Sequence, residues 1–333
     1  MNWKFWVGIG VSVVLIFFLF RGVDYNKLWE ASSHANVYLW IPAFLAQYLL
    51  MLIRALRWQH LIRPLKEIGI WNLFSATTIG FMSNNLLPAR MGEFVRAYVI
   101  GNREDISITS SFATIVVERI FDIIAVLLLT MVVFLFLELP SGVLEIKETV
   151  RGGAYGLLVV IIIALFFLVM LVMCRETSLS IVRRVLKPFP ERIQEQVILF
   201  LNSLASGLEV VKDGRSLFMV SLYSALNWFV SALAIYIIIV SFGFLLPFSS
   251  ALLILVMLAF AISVPSSPGF VGPFHYAVYL GLSFYGIGKE EAIGIAIVMH
   301  LAQFVPLVVL GLFLLWREKL SFGKIRGAAS ASV

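Results

Sequence analysis

The chain is poor in the side chains that do chemistry in water. Its 333 residues include one cysteine, Cys174, so it has no intrachain disulfide framework, no CxxC motif and no cysteine metal site. The four histidines, His34, His60, His275 and His300, are too scattered for zinc-ligand spacing. Charged residues make up 13%, where a soluble domain carries about a quarter. No Walker A pattern occurs, which argues against ATP hydrolysis in this chain. No catalytic residue, metal or cofactor is therefore assigned. Apolar residues are abundant: 61% of the chain is hydrophobic and the mean hydropathy is +0.99. This excludes a soluble enzyme, a disordered tail and a nucleic-acid module, and leaves a polytopic helical membrane protein. At about 20 residues per span, the length gives one bundle of roughly six to eight helices.

Apolar runs cover about Phe5–Phe20, Tyr38–Leu61, Ile108–Leu137, Tyr155–Cys174, Leu217–Val240 and Ala292–Trp316. The first lacks a clear small-residue cleavage site and reads as a retained span, not a signal peptide. Lys4, the group Arg54, Arg57, Arg63 and Lys66, the group Arg175, Arg183, Arg184 and Lys187, and the final Arg317, Lys319, Lys324 and Arg326 mark the cytoplasmic side. The net charge of +6 has the same origin, and both termini fall in the cytoplasm. Arg54 and Arg57 read as residues snorkelling to lipid phosphates. Trp3, Trp6, Trp40, Trp58, Trp71 and Trp316 read as interfacial belt anchors.

Two stretches are broken. Ile70–Leu87 is interrupted by Pro88, Arg90, Gly92, Glu93 and Arg96 and resumes only to Ile100. Ser249–Val264 is interrupted by Pro265, Pro268, Gly269, Gly272 and Pro273 before Phe274–Ile287. The charge bias makes the first stretch begin and end inside, and the second begin and end outside. The expected fold is an all-α integral membrane domain over residues 1–333, with about six transmembrane helices. Two opposed re-entrant helical hairpins, about 70–100 and 249–287, complete it. Eight ordinary spans are the competing reading, which Phe94–Ile100 is too short to serve. A polar cytoplasmic segment covers about 176–215; from Arg192 on, after Pro188 and Pro190, it reads as an amphipathic helix at the interface or as a connector packed on the bundle.

The breaks share a pattern, P-x3-G-x-F-x2-A: Pro88, Gly92, Phe94 and Ala97 align with Pro268, Gly272, Phe274 and Ala277. Opposed copies of this kind are the expectation for an inverted repeat, with a site near the midplane. Pro88 and Pro268 can each open a second half-helix, Ser266 or Ser267 can cap the latter, and Asn84 and Asn85 can satisfy freed backbone groups. Facing half-helix N-termini would bind an anion, and Arg90 would add a full charge with a phosphate-matched fork. A kink satisfied internally is the alternative. Glu118, Arg119 and Asp122 lie about ten residues into their span and should face the bundle in pairs, Arg119 with Glu93 or toward a cavity. His300 and Gln303 sit at similar depth in the last span. A buried structural network and a polar path for a head-group both fit these residues.

The stretch from Asn84 through Pro88, Arg90, Gly92, Glu93 and Arg96, then Ser107, then Val117-Glu-Arg-Ile-Phe-Asp122, resembles the lysylphosphatidylglycerol synthetase transmembrane (flippase-like) family. Pro268-Gly-Phe-Val-Gly-Pro-Phe274 resembles its later proline-glycine motif, with Pro273 and His275 standing where an acidic residue is expected. The resemblance covers nearly the whole chain. It implies a flippase or transporter for anionic or modified phospholipids or polyprenyl-linked lipids in a prokaryotic cytoplasmic membrane. The aminoacyl-transfer domain of the full synthetase has no counterpart here, so lysyl transfer is not expected. The substrate-binding candidates are Asn85, Arg90, Gly92, Glu93, Arg96, Glu118, Arg119, Asp122, Gly272 and His300. The expected partner is a lipid with an anionic head-group, with a second copy of the chain or a lipid-synthesis enzyme as protein partner and no nucleic acid. Two other classes stay open. One is an enzyme or accessory acting on lipid-linked sugars, with Glu118 and Asp122 as carboxylates; the other is a channel or scaffold.

Overall fold

The computed structural model describes residues 3–87, 91–136, 170, 175–187, 190–207, 213–263 and 266–319. Every regular element among them is helical. They are α1 (Trp3–Phe20), α2 (Tyr25–Ser33), α3 (Trp40–Ile62), α4 (Ile70–Leu86), α5 (Gly92–Glu104), α6 (Ile108–Phe136), α7 (Arg175–Leu186), α8 (Glu191–Gly207), α9 (Gly214–Ser241), α10 (Phe248–Ala261), α11 (Pro273–Ser283) and α12 (Lys289–Arg317). Short 3-10 turns at Val37–Leu39 and Pro268–Phe270 complete the set. The expected span Tyr155–Cys174 and the loop before it lie outside the described residues, apart from Met170.

Among the described residues, three helical segments are by length and composition able to cross a membrane, Val37–Ile62, Gly214–Ser241 and Lys289–Arg317. The 18-residue α1 and the 29-residue α6 fall on two further apolar runs. After α1 the chain turns by 87° into α2, a helix not expected from the sequence. The Asp24 carboxylate starts it by accepting from the N–H groups of Asn26 and Lys27. Asp213 starts α9 in the same way.

Helix α3 runs antiparallel to α9, because rising numbers on one meet falling numbers on the other. Trp40 Nε1 donates to Ser241 Oγ (3.0 Å), Arg54 Nε to Asn227 Oδ1 (2.9 Å) and Arg57 Nη1 to Ser224 Oγ (3.1 Å). Each helix leads into one broken stretch, so the two stretches start from opposite ends of the bundle. The first stretch folds back as a helical hairpin. Asn72 Nδ2 donates to Glu104 Oε1 (2.5 Å) at its base, and the Gly92 N–H donates to Asn84 Oδ1 (2.8 Å) at its tip. Between them, a Cβ on Gly80 would stand 2.9 Å from the Arg96 Cβ, and one on Gly92 would fall on the Gly80 carbonyl oxygen. The second stretch also folds back, with Gly281 of α11 against Ile254 of α10.

The turn between α10 and α11 corrects one expectation. Pro268 opens the 3-10 turn, and the second half-helix starts five residues later with Pro273 at its first position. Gly272 has φ of 101° and ψ of −77°, a conformation open to glycine, and it packs on Ser12 of α1. Ser12 also binds Ser267, accepting from its N–H and lying 3.0 Å from its hydroxyl.

Two large apolar clusters form most of the core among the described residues. One holds Trp58, Leu73, Met82, Val95, Ile115 and Leu314 from α3–α6 and α12, with Leu179, Ile198 and Ala205 of α7 and α8. The other holds Ile235, Ile254, Leu258, Val278, Ile295 and Met299 from α9–α12. Helix α12 therefore serves both, and Pro306 lies between its two contact zones. The polar segment contains two helices packed on the bundle, α7 and, after Pro190, α8. Trp58 is no belt anchor: it is fully buried, with Nε1 donating to Thr114 Oγ1 (2.9 Å). Trp6, Trp71 and Trp316 are exposed.

The hairpin contact at Gly92 is backbone on backbone, so it cannot yield as a flexible side chain would. Gly92→Ala is expected to destabilise the protein by about 1–3 kcal/mol. Gly10→Ala, where a Cβ meets nothing within 4 Å, should be neutral or mildly stabilising. Melting temperatures of the two variants in detergent check this; equal values would refute the hairpin contact.

Candidate functional site

The two broken stretches meet. A Cβ on Gly269, in the second turn, would stand 3.6 Å from the carbonyl oxygen of Asn85 at the first tip. Beside this junction lies a cavity of about 680 Å³. Asn84 and Asn85 line it from the first tip, Glu93 from α5, Gly269 and Phe270 from the second turn, and Phe274 from α11. Arg54 of α3, Arg119 and Asp122 of α6, Asn227 of α9, and His300 and Gln303 of α12 add polar groups. Leu50, Met51, Ile235, Leu255, Leu258 and Leu307 supply apolar wall. Ile123 of α6 and Phe260 of α10 also line it and are 54% and 48% exposed, so the cavity opens between these helices. The same two helices close on each other farther along, at Val133, Leu253 and Val256.

The charged wall is a connected network. Glu118 and Asp122 share one face of α6, and Arg57 bridges them, with Nη2 at 2.8 Å from Glu118 Oε1 and Nη1 at 2.6 Å from Asp122 Oδ1. Arg96 reaches the other Glu118 oxygen at 2.8 Å and lies 3.7 Å from the centre of the Trp58 ring. Arg119 touches Glu118 and Asp122 at 3.1 Å each, and Glu93 at 3.5 Å. Arg57, Arg96 and Glu118 are shut off from solvent, whereas Arg119 faces the cavity. Helix α6 can carry three charges at this depth because α3 and α5 bring the opposite ones.

Of the expected site residues, Asn85, Glu93, Arg119, Asp122 and His300 line the cavity, and Arg96 and Glu118 lie behind it. Gly92 and Gly272 stand back from the wall; the residues after them are Glu93, which reaches it, and Pro273, followed by Phe274. Each half-helix thus meets the cavity through a side chain, and Asn84 occupies the Gly92 N–H. His300 Nε2 lies 2.7 Å from the Gly269 carbonyl oxygen. A carbonyl only accepts, so this nitrogen carries the proton and α12 holds the second turn. Arg90 and Pro88 lie outside the described residues.

Sequence reasoning misplaced Arg54 and Arg57. Neither reaches outward to lipid: Arg57 is the centre of the network, and Arg54 faces the cavity. Their spacing of three puts both on one helix face, and Trp58, Leu61 and Ile62 continue the apolar run beyond them. That continuation was the available signal of depth. Asn227 carried no signal beyond being an amide within an apolar run.

Removing the shared carboxylate leaves Arg96 without a carboxylate partner and Arg57 with one. Glu118→Gln is expected to lower stability by about 3–5 kcal/mol. Arg63→Gln, which breaks an exposed pair with Glu67, should cost less than about 1 kcal/mol. Unfolding of both variants in detergent checks the contrast; similar losses would contradict a buried network.

Comparison with known proteins places this architecture. The chain is 20% identical over 314 residues to a UPF0104 membrane protein of Methanothermobacter thermautotrophicus, covering 91% of this chain and 92% of that one. It is 25% identical over 328 residues to a UPF0104 membrane protein of Pyrococcus horikoshii, covering 94% and 96%. It is also 25% identical over 298 residues to the glycosyltransferase AglD of Haloferax volcanii, covering 81% of this chain and 47% of that protein. No solved structure matches the chain. Residues 5–311 match the profile of the lysylphosphatidylglycerol synthase transmembrane region. With its several apolar helices, this is a multi-pass membrane protein. The chain belongs to the lysylphosphatidylglycerol synthase transmembrane-region family.

Proposed function

We propose that the protein moves a lipid with an anionic head-group across the membrane. The observation that carries this reading is the cavity between the two hairpin tips, charged on one wall, apolar on the other and open sideways between α6 and α10. A lipid needs both surfaces at once: a polar route for its head-group and an apolar exit for its chains. In this reading the hairpins dip into the bilayer from opposite faces and both termini are cytoplasmic. The two helical groups, α3–α6 and α9–α12, are the halves of an inverted repeat that rock against each other about the fixed cavity. The antiparallel pairing of α3 and α9 supports that arrangement.

The likeness to a protein named as a glycosyltransferase favours a second reading, a membrane domain that serves chemistry on lipid-linked sugars. Glu118 and Asp122 would then be its carboxylates. Their oxygens are held by arginines, which suits a structural or binding role better than proton transfer.

The test is head-group translocation in proteoliposomes containing fluorescently labelled phosphatidylglycerol, followed by chemical quenching of the outer leaflet. The wild type should expose inner-leaflet lipid faster than protein-free vesicles. Arg119→Gln should slow this about tenfold or more, with a smaller loss of melting temperature than Glu118→Gln because Arg119 is the partly exposed member of the network. Rates equal to those of empty vesicles would sink the transport reading. Lipid recovered with altered mass when a lipid-linked or nucleotide-linked sugar donor is added would establish the second one.

A further inference from the structure

Four arginines cluster in this region of the described structure, and three have carboxylate partners: Arg57, Arg96 and Arg119. Arg54 has none within ion-pair distance among the described residues. Its Nε donates to Asn227 Oδ1, and its guanidinium carbon lies 4.2 Å from the centre of the Phe81 ring. No described residue accepts a hydrogen bond from its two terminal nitrogens. The same ring lies near Arg119, whose guanidinium carbon is 5.8 Å from its centre. An unpaired guanidinium deep in an apolar bundle is costly until an anion meets it. Among the described residues the local carboxylates are already committed to the other arginines, which leaves this fork open to an anion entering the cavity.

We infer that Arg54 is the seat of the phosphate of a lipid phosphate ester. The terminal nitrogens form a planar fork that matches two phosphate oxygens. Asn227 fixes the plane of that fork by holding Nε, and Phe81 supports its face. The ligand is a lipid, not free phosphate, because the same cavity has apolar walls and a gap at Ile123 and Phe260 through which chains reach the surrounding membrane. This rests on the transport reading of the cavity and adds the group that recognises the cargo.

The experiment measures binding to the purified full-length protein in detergent. The probes are phosphatidylglycerol, polyprenyl phosphate, diacylglycerol and inorganic phosphate. At least one of the two phosphate lipids should bind more tightly than diacylglycerol and than inorganic phosphate, and the tighter of the two names the source of the phosphate. Arg54→Gln should weaken that binding about tenfold or more, and Arg54→Lys should recover part of it. Undiminished binding by Arg54→Gln overturns the assignment. So does equal wild-type affinity for diacylglycerol, a comparison that needs no variant to fold. Inorganic phosphate binding as tightly as either lipid overturns the lipid half. Binding that depends on Arg54 without translocation in vesicles upholds the seat and removes the transport reading.

Discussion

The burial of Arg57 between Glu118 and Asp122 is the contact on which the architecture depends. A guanidinium shut off from water is tolerable only if counter-charge meets it, and here both terminal nitrogens are held from two other helices, while Nε has no partner. Glu118 and Asp122 come from α6, and Ser224 comes from α9. One side chain thus ties α3 to a helix of its own group and to the antiparallel partner that opens the other group. Losing either carboxylate would leave a buried positive charge short of its counter-charge, so α3 and α6 hold one relative position, while the neutral Ser224 hydroxyl makes the lighter tie to α9.

That fixed frame decides where the hairpins go. With α3 and α9 antiparallel, the loops that follow them emerge at opposite ends, and each hairpin has to run inward toward the other. The tips meet at Asn85 and Gly269, and the cavity is the space their turns leave unfilled. Close backbone packing at Gly80 and Gly92 keeps the first hairpin narrow. Contact of Gly272 with Ser12 anchors the second on α1. The polar groups at the tips then answer to side chains: Asn84 takes the Gly92 N–H, and His300 takes the Gly269 carbonyl.

Much of this was legible in the sequence because the signals were local. Apolar runs located the long helices. Proline and glycine located both breaks, and charges ten residues inside a span located the α6 network. What escaped depended on partners distant in the chain. Arg57 looked like a residue near a helix end, since its carboxylates lie more than 60 residues away. Trp58 looked interfacial for the same reason, its partner Thr114 being unforeseeable from α3 alone. The start of α11 was misjudged because three prolines competed for it. Only tertiary contact with α1 selects Pro273, by placing Gly272 against Ser12.

Pro306 gives α12 a consequence for motion. Residues before it, through Ala302, pack with the second hairpin, and His300 grips that hairpin's turn. Residues after it press on the first hairpin: Gly311 lies against Met82, and Glu318, just past the helix, binds Arg103 and Ser75 at the hairpin base. Proline removes one rung of the backbone ladder between these two loads, so bending there meets the least resistance. The final helix is thereby two segments, each bearing on a different hairpin, and its weakest point lies beside the cavity.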